Sequence, residues 1–99
     1  MLIVTGSVTA RPETFDALRQ AALDHVARSR TEPGCLRHGV AADCEEPLRL
    51  VFYEEWSDRV ALDAHFAQAG SLDFMRAVRD LSAASTRVRI LPVEARPAP

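Results

Sequence analysis

Trp56 and His65 stand nine residues apart, on either side of the point where an alternating apolar strand gives way to an amphipathic helix. Strand parity puts Trp56 on the face of Phe52, and helical spacing puts His65 on the face of Ala61 and Leu62. Both side chains are expected to point into the crevice at the end of a sheet. An imidazole beside a large aromatic wall can take a proton from a flat phenolic ligand or hydrogen-bond to it. His65 is therefore the candidate catalytic residue, with a packed histidine tying helix to strand as the alternative. Glu54 shares the parity of Phe52 and Trp56. A carboxylate on so apolar a face has to be paired, hydrogen-bonded or wet. It could orient His65 or a substrate hydroxyl, or pair with an arginine. Phe66 adds a second phenyl wall beside Phe52. His38, on a second strand with Leu36 and Val40 on its face, is a further candidate for ligand contact. His25, next to Val26 on the first helix, reads as a flank residue. The expected substrate-binding set is Trp56, Glu54, Phe52, Phe66 and His38.

Other chemistries lack their residues. There is no GxSxG, no phosphate-binding loop and no GxGxxG. Three scattered histidines without a zinc-type Cys/His spacing give no expectation of a metal site, and no cofactor is expected. Cys35 and Cys44 lie at opposite ends of one candidate strand, about 30 Å apart if extended, so they are expected to stay reduced. Twelve basic and fourteen acidic residues leave a net charge of −2, which recruits neither nucleic acid nor an anionic membrane. No apolar run approaches the roughly 20 residues of a membrane span. The start Met-Leu-Ile-Val-Thr-Gly enters a strand at once, without a basic region or cleavage site, so a cytoplasmic protein is expected.

The elements that must position these residues follow from period and punctuation. Leu2 to Thr9 alternates as a half-buried strand. Pro12 and Glu13 suit a helix start. Phe15, Leu18, Ala22 and Val26 then recur on one helical face until Glu32-Pro33-Gly34 stops it. Cys35 to Asp43 and Leu48 to Trp56 read as two strands joined by the polar loop Cys44-Glu45-Glu46-Pro47. The third strand carries Leu50, Phe52 and Trp56 on one face and Val51 and Tyr53 on the other, the pattern of a central strand covered on both sides. Ser57 is the expected N-cap of a helix with the stripe Ala61, Leu62, His65, Phe66 and Ala69. Gly70 is expected to interrupt it, and Ser71 to open a continuation facing inward through Phe74, Val78 and Leu81. Thr86 to Val93 is the expected last strand, and 95–99 a flexible tail beyond one domain spanning 1–94.

The order β-α-β-β-α-β is the ferredoxin-like pattern: an α+β fold with a four-stranded antiparallel sheet and both helices on one face. The second face of the third strand still needs cover, and a twofold homodimer supplies it most simply.

The stretch Glu54 to Phe66, E-x-W-S-x-x-x-A-L-x-x-H-F, resembles the signature of the antibiotic biosynthesis monooxygenase family, and the likeness extends from Leu2 to about Val93. The resemblance implies a dimeric α+β barrel. It also implies a cofactor-independent monooxygenase whose partners are dioxygen and a small aromatic quinol or polyphenol. The alternative it leaves open is a small-molecule-binding barrel without turnover. In some members a polar residue such as Asn on the sheet holds the substrate; this chain contains no Asn. The haem-degrading branch carries an Asn, a Trp and a His ligand where this chain has Gly6, His65 and Phe74, which do not suit haem.

Overall fold

The computed structural model describes residues 1–86, 88–94 and 96–98. Arg87, within the expected last strand, and Ala95 and Pro99, in the expected tail, lie outside the described residues. The alternating N-terminal segment forms β1 (Leu2–Ala10), followed by α1 (Phe15–Ser29), β2 (Cys35–Ala42) and β3 (Arg49–Trp56). Two helices then break the chain's return: α2 (Arg59–Ala67) and α3 (Ala69–Leu81). Two short strands, β4 (Ser82–Ser85) and β5 (Arg89–Pro92), close the order.

The sheet is antiparallel throughout, in the order β2-β3-β1-β4, with β5 also pairing β1. This is the ferredoxin-like α+β fold, and β3 is central, as its two apolar faces require. The helices cover one side. Their main core joins Val8, Ala10, Leu50 and Phe52 of the sheet to Leu18, Ala22 and Val26 of α1. A smaller cluster, Val4, Trp56 and Leu62, lies under α2. No helix among the described residues is long and apolar enough to cross a membrane.

Four local expectations need correction. The fourth strand is not one run from Thr86 to Val93. β4 pairs the C-terminal end of β1 (Val8 with Ser85), and β5 pairs the N-terminal end (Leu2 with Pro92). Residues Ser82-Ala83-Ala84-Ser85 have little strand propensity, so only β1's free edge makes them a strand. Asp58 rather than Ser57 caps α2, accepting from the Ala61 N–H at 2.9 Å. Ser57 instead donates its backbone N–H to Gly34 O at 2.8 Å. α1 starts at Phe15, later than Pro12 suggested. Thr14 holds its entrance, accepting from the Arg11 N–H at 3.0 Å and donating to Leu81 O at 2.6 Å. Finally, the break between the last two helices falls at Gln68, whose ψ of 142° is extended, and Gly70 sits inside α3.

Gly70 has a different purpose: a Cβ there would overlap the Arg28 guanidinium, whose Nη2 donates to Gly70 O at 2.7 Å. Gly34 is the other glycine with a specific requirement. Its φ of +81° makes the turn from α1 into β2, and a Cβ would collide with Ala61.

A β-bulge decides which side chains of β2 face the helices. The pairing shifts between Cys35 and Arg37, so Leu36 is turned outward and is 57% exposed. His38 and Val40 then pair with Glu54 and Phe52 and point inward. The expected face containing Leu36, His38 and Val40 is thus correct for the last two and wrong for Leu36.

Candidate functional site

All three histidines of the chain meet beneath the helices. His25 comes from α1, His38 from β2 and His65 from α2, and each is buried. Their ring centroids are 5.2 Å apart for His25–His65, 5.3 Å for His25–His38 and 5.6 Å for His38–His65. His25 was expected on the flank of α1. It lies three residues after Ala22 and seven after Leu18, which is also the inward face. Its ring stacks on Phe74 at 4.4 Å. Burial, and then the neighbouring His38 and His65, push its pKa down to about 3, so it is a neutral imidazole near pH 7.

Glu54 is the polar hub. Its Oε1 accepts from Trp56 Nε1 at 2.8 Å and lies 3.2 Å from His38 Nε2 and 3.9 Å from His65 Nε2. The His38 contact is poorly aligned, so both ring nitrogens of that histidine are buried without a well-formed hydrogen bond. Burial works to raise the Glu54 pKa. The His38 ring, the Trp56 N–H and His65 outweigh it and hold the carboxyl below its ordinary value. An ionised carboxylate therefore sits in a mostly apolar interior.

His65 is held by a second acid. Glu32 Oε1 lies 2.7 Å from His65 Nδ1, in the turn after α1. Because a carboxylate accepts, Nδ1 carries the proton in the neutral ring and Nε2 keeps its lone pair, on the side of Glu54. Ser71, expected as a helix cap, instead donates its Oγ–H to His65 O at 2.6 Å and fixes the end of α2. In the sequence Glu32 reads only as part of a helix stop. Nothing local links it to His65, thirty-three residues away.

These groups open on a cavity of about 540 Å³ between β1, β3 and α3. Val4, Val8, Phe52, Phe66, Phe74 and Val78 make its walls mostly apolar, and Glu54, His65 and His25 bring polar groups to it. Ser85 of β4, with Thr86 and Val88, also lines it. Trp56 and His38, expected as substrate contacts, are not among the lining residues. Trp56 is wholly buried, its ring 4.5 Å from that of His65 and its N–H on Glu54, two residues that do line the cavity. His38 lies behind Glu54 in the same way. Both stand behind the cavity wall.

A sheet covered by helices on one side, with an apolar cavity at the strand-helix junction, is the arrangement that the Glu54–Phe66 stretch foreshadowed. The model of the family described as antibiotic biosynthesis monooxygenase matches residues 1–77. The chain belongs to that family. Among curated proteins it is similar to the uncharacterized protein sll1783 of Synechocystis sp., at 32% identity over 95 residues, which cover 93% of this chain and 63% of the relative. The chain thus spans less than two thirds of that relative's length. Among solved structures, a candidate antibiotic biosynthesis monooxygenase from Deinococcus radiodurans is 30% identical with a TM-score of 0.84, covering 99% of this chain and 95% of the other. Rv0793 from Mycobacterium tuberculosis shares the fold at a TM-score of 0.88 and 24% identity, covering 98% of each chain.

Polar groups surround the histidine at the strand-helix junction. Two carboxylates and two further histidines surround or support it, and all arrive from separate elements.

Proposed function

We propose that this family member is a cofactor-independent monooxygenase of a small aromatic quinol, with His65 as the base. The observation carrying this reading is the paired geometry of Glu32, His65 and the cavity: the acid holds Nδ1, and Nε2 is left to accept a proton beside an apolar space of about 540 Å³. Such a volume takes one or two aromatic rings. Phe52 and Phe66 supply flat contact for the ring, and Glu54 accepts a hydrogen bond from a second hydroxyl. Trp56 holds Glu54 in place from behind through its indole N–H, and the His38 ring packs beside it.

A phenol ordinarily ionises near pH 10, so a bound quinol needs a base to become electron-rich near pH 7. His65 Nε2 takes one hydroxyl proton, and the quinolate then reduces dioxygen directly. The balance closes without an added reductant: hydroquinone and O₂ give hydroxyquinone and water, one oxygen atom entering the ring and the other leaving as water. An apolar wall favours this by excluding bulk solvent from the reduced oxygen species.

The working form is a homodimer that buries the outer sheet face. Val51 and Tyr53 stay 40% and 38% exposed there, and none of the described helices packs on that side. Exposed apolar side chains along a central strand are the mark of a missing partner.

Oxygen uptake with a panel of hydroquinones, in the presence of EDTA, tests the reading. One O₂ consumed per hydroxyquinone formed supports it. Absence of uptake with every quinol, alongside saturable binding of the same compounds, would replace it by a binding protein without turnover.

A further inference from the structure

We infer that His25, His38 and His65, with Glu54 as a fourth donor, form a binding site for one divalent first-row transition-metal ion. The chain holds three histidines in 99 residues, and all three converge on one point from three different elements. One ligating atom from each lies within 4.8 Å of the others. Around a tetrahedral ion with metal–nitrogen bonds of about 2.0–2.1 Å, ligand nitrogens sit roughly 3.3 Å apart. The trio therefore closes on an ion by contracting at most about 1.5 Å, within reach of small side-chain rotations.

His38 points to a ligand independently of that spacing. It is 2% exposed, and neither ring nitrogen has a well-formed hydrogen bond. Buried polar groups in folded chains are almost always paired, so an imidazole orphaned at both nitrogens calls for a partner. The remaining groups are arranged as a metal centre needs. Glu32 on His65 Nδ1 fixes the ring and leaves Nε2 as the ligating atom, the role a carboxylate has behind many metal-bound histidines. Glu54 Oε1 lies 3.2 Å from His38 Nε2 and 3.9 Å from His65 Nε2. Glu32 and Glu54 bring two carboxylates to the cluster, which favours a dication, while Arg28 lies at the His25 ring and Arg30 at the His38 carbonyl.

Imidazoles with one carboxylate suit Zn(II), Co(II), Ni(II), Cu(II) or Fe(II), and disfavour Mg(II) and Ca(II). Since His25, His65 and Glu54 also line the cavity, a ligand entering there could reach an open position on the ion. Arg28 Nη2 lies 3.0 Å from His25 Nδ1 and can only donate to it. It therefore competes with the ion for His25, and Gly70 O keeps it in place when displaced.

The ion would occupy the His65 Nε2 lone pair that the proposed quinol oxidation needs as a base, so the metal-bound form is distinct from the quinol-oxidising form, and the test does not measure turnover. The full chain, stripped with EDTA and desalted, is titrated with Co(II) and followed by its visible ligand-field bands. Zn(II) is titrated calorimetrically, with Mg(II) as control. The expected result is one Co(II) or Zn(II) per chain, no Mg(II) binding, and a rise in Tm with Zn(II). Loss of even a supporting residue typically weakens a metal site about 10–100-fold, so His38→Gln and the volume-filling His38→Phe should each weaken it about 100-fold or more. Arg28→Met should tighten it. Two variants guard against one that fails to fold, and both are checked by circular dichroism before titration. No stoichiometric binding to the wild-type chain, or binding that both folded His38 variants retain in full, would overturn the assignment.

Discussion

Lowering the pH from 7 to 5, with a chelator present, is expected to cost the wild-type protein about 2 kcal/mol more stability than it costs His25→Gln. His25 is buried against Phe74, and it faces His38 from β2, His65 from α2, Glu54 from β3 and Arg28 from its own helix. Burial and those neighbours push its pKa down from 6.5 to about 3. The sign follows from proton uptake. Between pH 6.5 and about 3 the unfolded chain binds a proton on His25 that the folded chain refuses, so stability present above 6.5 is lost as the pH falls. At pH 5 the linkage integral comes to about 2 kcal/mol, against a few tenths at pH 7. Glu54, held below its ordinary 4.5, loses its own contribution only at lower pH, so it does not confuse the comparison. Urea unfolding at equal protein concentration measures the difference as a midpoint shift on the order of 1 M. His38 and His65 remain in both proteins, and the variant isolates one ring. Equal losses in wild type and His25→Gln would refute the claim that burial keeps His25 a neutral imidazole.

Four further outcomes bear on the frame. Gly34→Ala should destabilise the chain by about 2–3 kcal/mol in urea unfolding, because it combines a left-handed backbone with a Cβ against Ala61 and 2.7 Å from Ser57 Oγ. Trp56→Ala should cost about 3–5 kcal/mol as a fully buried indole. Trp56→Phe, which keeps most of the volume but removes the N–H bonded to Glu54, should cost about 1.5–3 kcal/mol by the same measurement. Val51→Lys, on the outer sheet face, should shift the proposed dimer toward monomer or aggregate in light scattering at micromolar concentration; a variant that stays dimeric would place the interface elsewhere, and a monomeric wild type would remove it.

The parts of this molecule legible in its sequence are those governed by local period. Strand parity put Phe52, Glu54 and Trp56 on one face, and a helical stripe put His65 inward; the fold order and the central position of β3 followed. What escaped were features set by contacts distant in sequence. Glu32 reads as a helix stop until α2 brings His65 to it. His25 hid because Val26, its neighbour, fits the stripe equally well, and only the width of the buried sector of α1 includes both. The bulge at Leu36 has no local signal and reversed that side chain alone. The same blindness applied to Trp56. Its parity was correct, yet whether an inward residue walls a cavity or stands behind the wall depends on how Glu54 and His65 pack over it. Ser82 to Ser85 became a strand through β1's open edge rather than through any preference of their own.

The most direct test of the functional account is steady-state oxygen uptake with the best quinol by wild type and His65→Ala, both EDTA-treated and both shown folded by circular dichroism. If His65 Nε2 takes the quinol proton, kcat should fall about 10²–10⁴-fold in the variant while KM changes little. Uptake that survives His65→Ala unchanged would contradict the account, leaving the histidine and its Glu32 partner as a structural tie between α2 and the turn that follows α1.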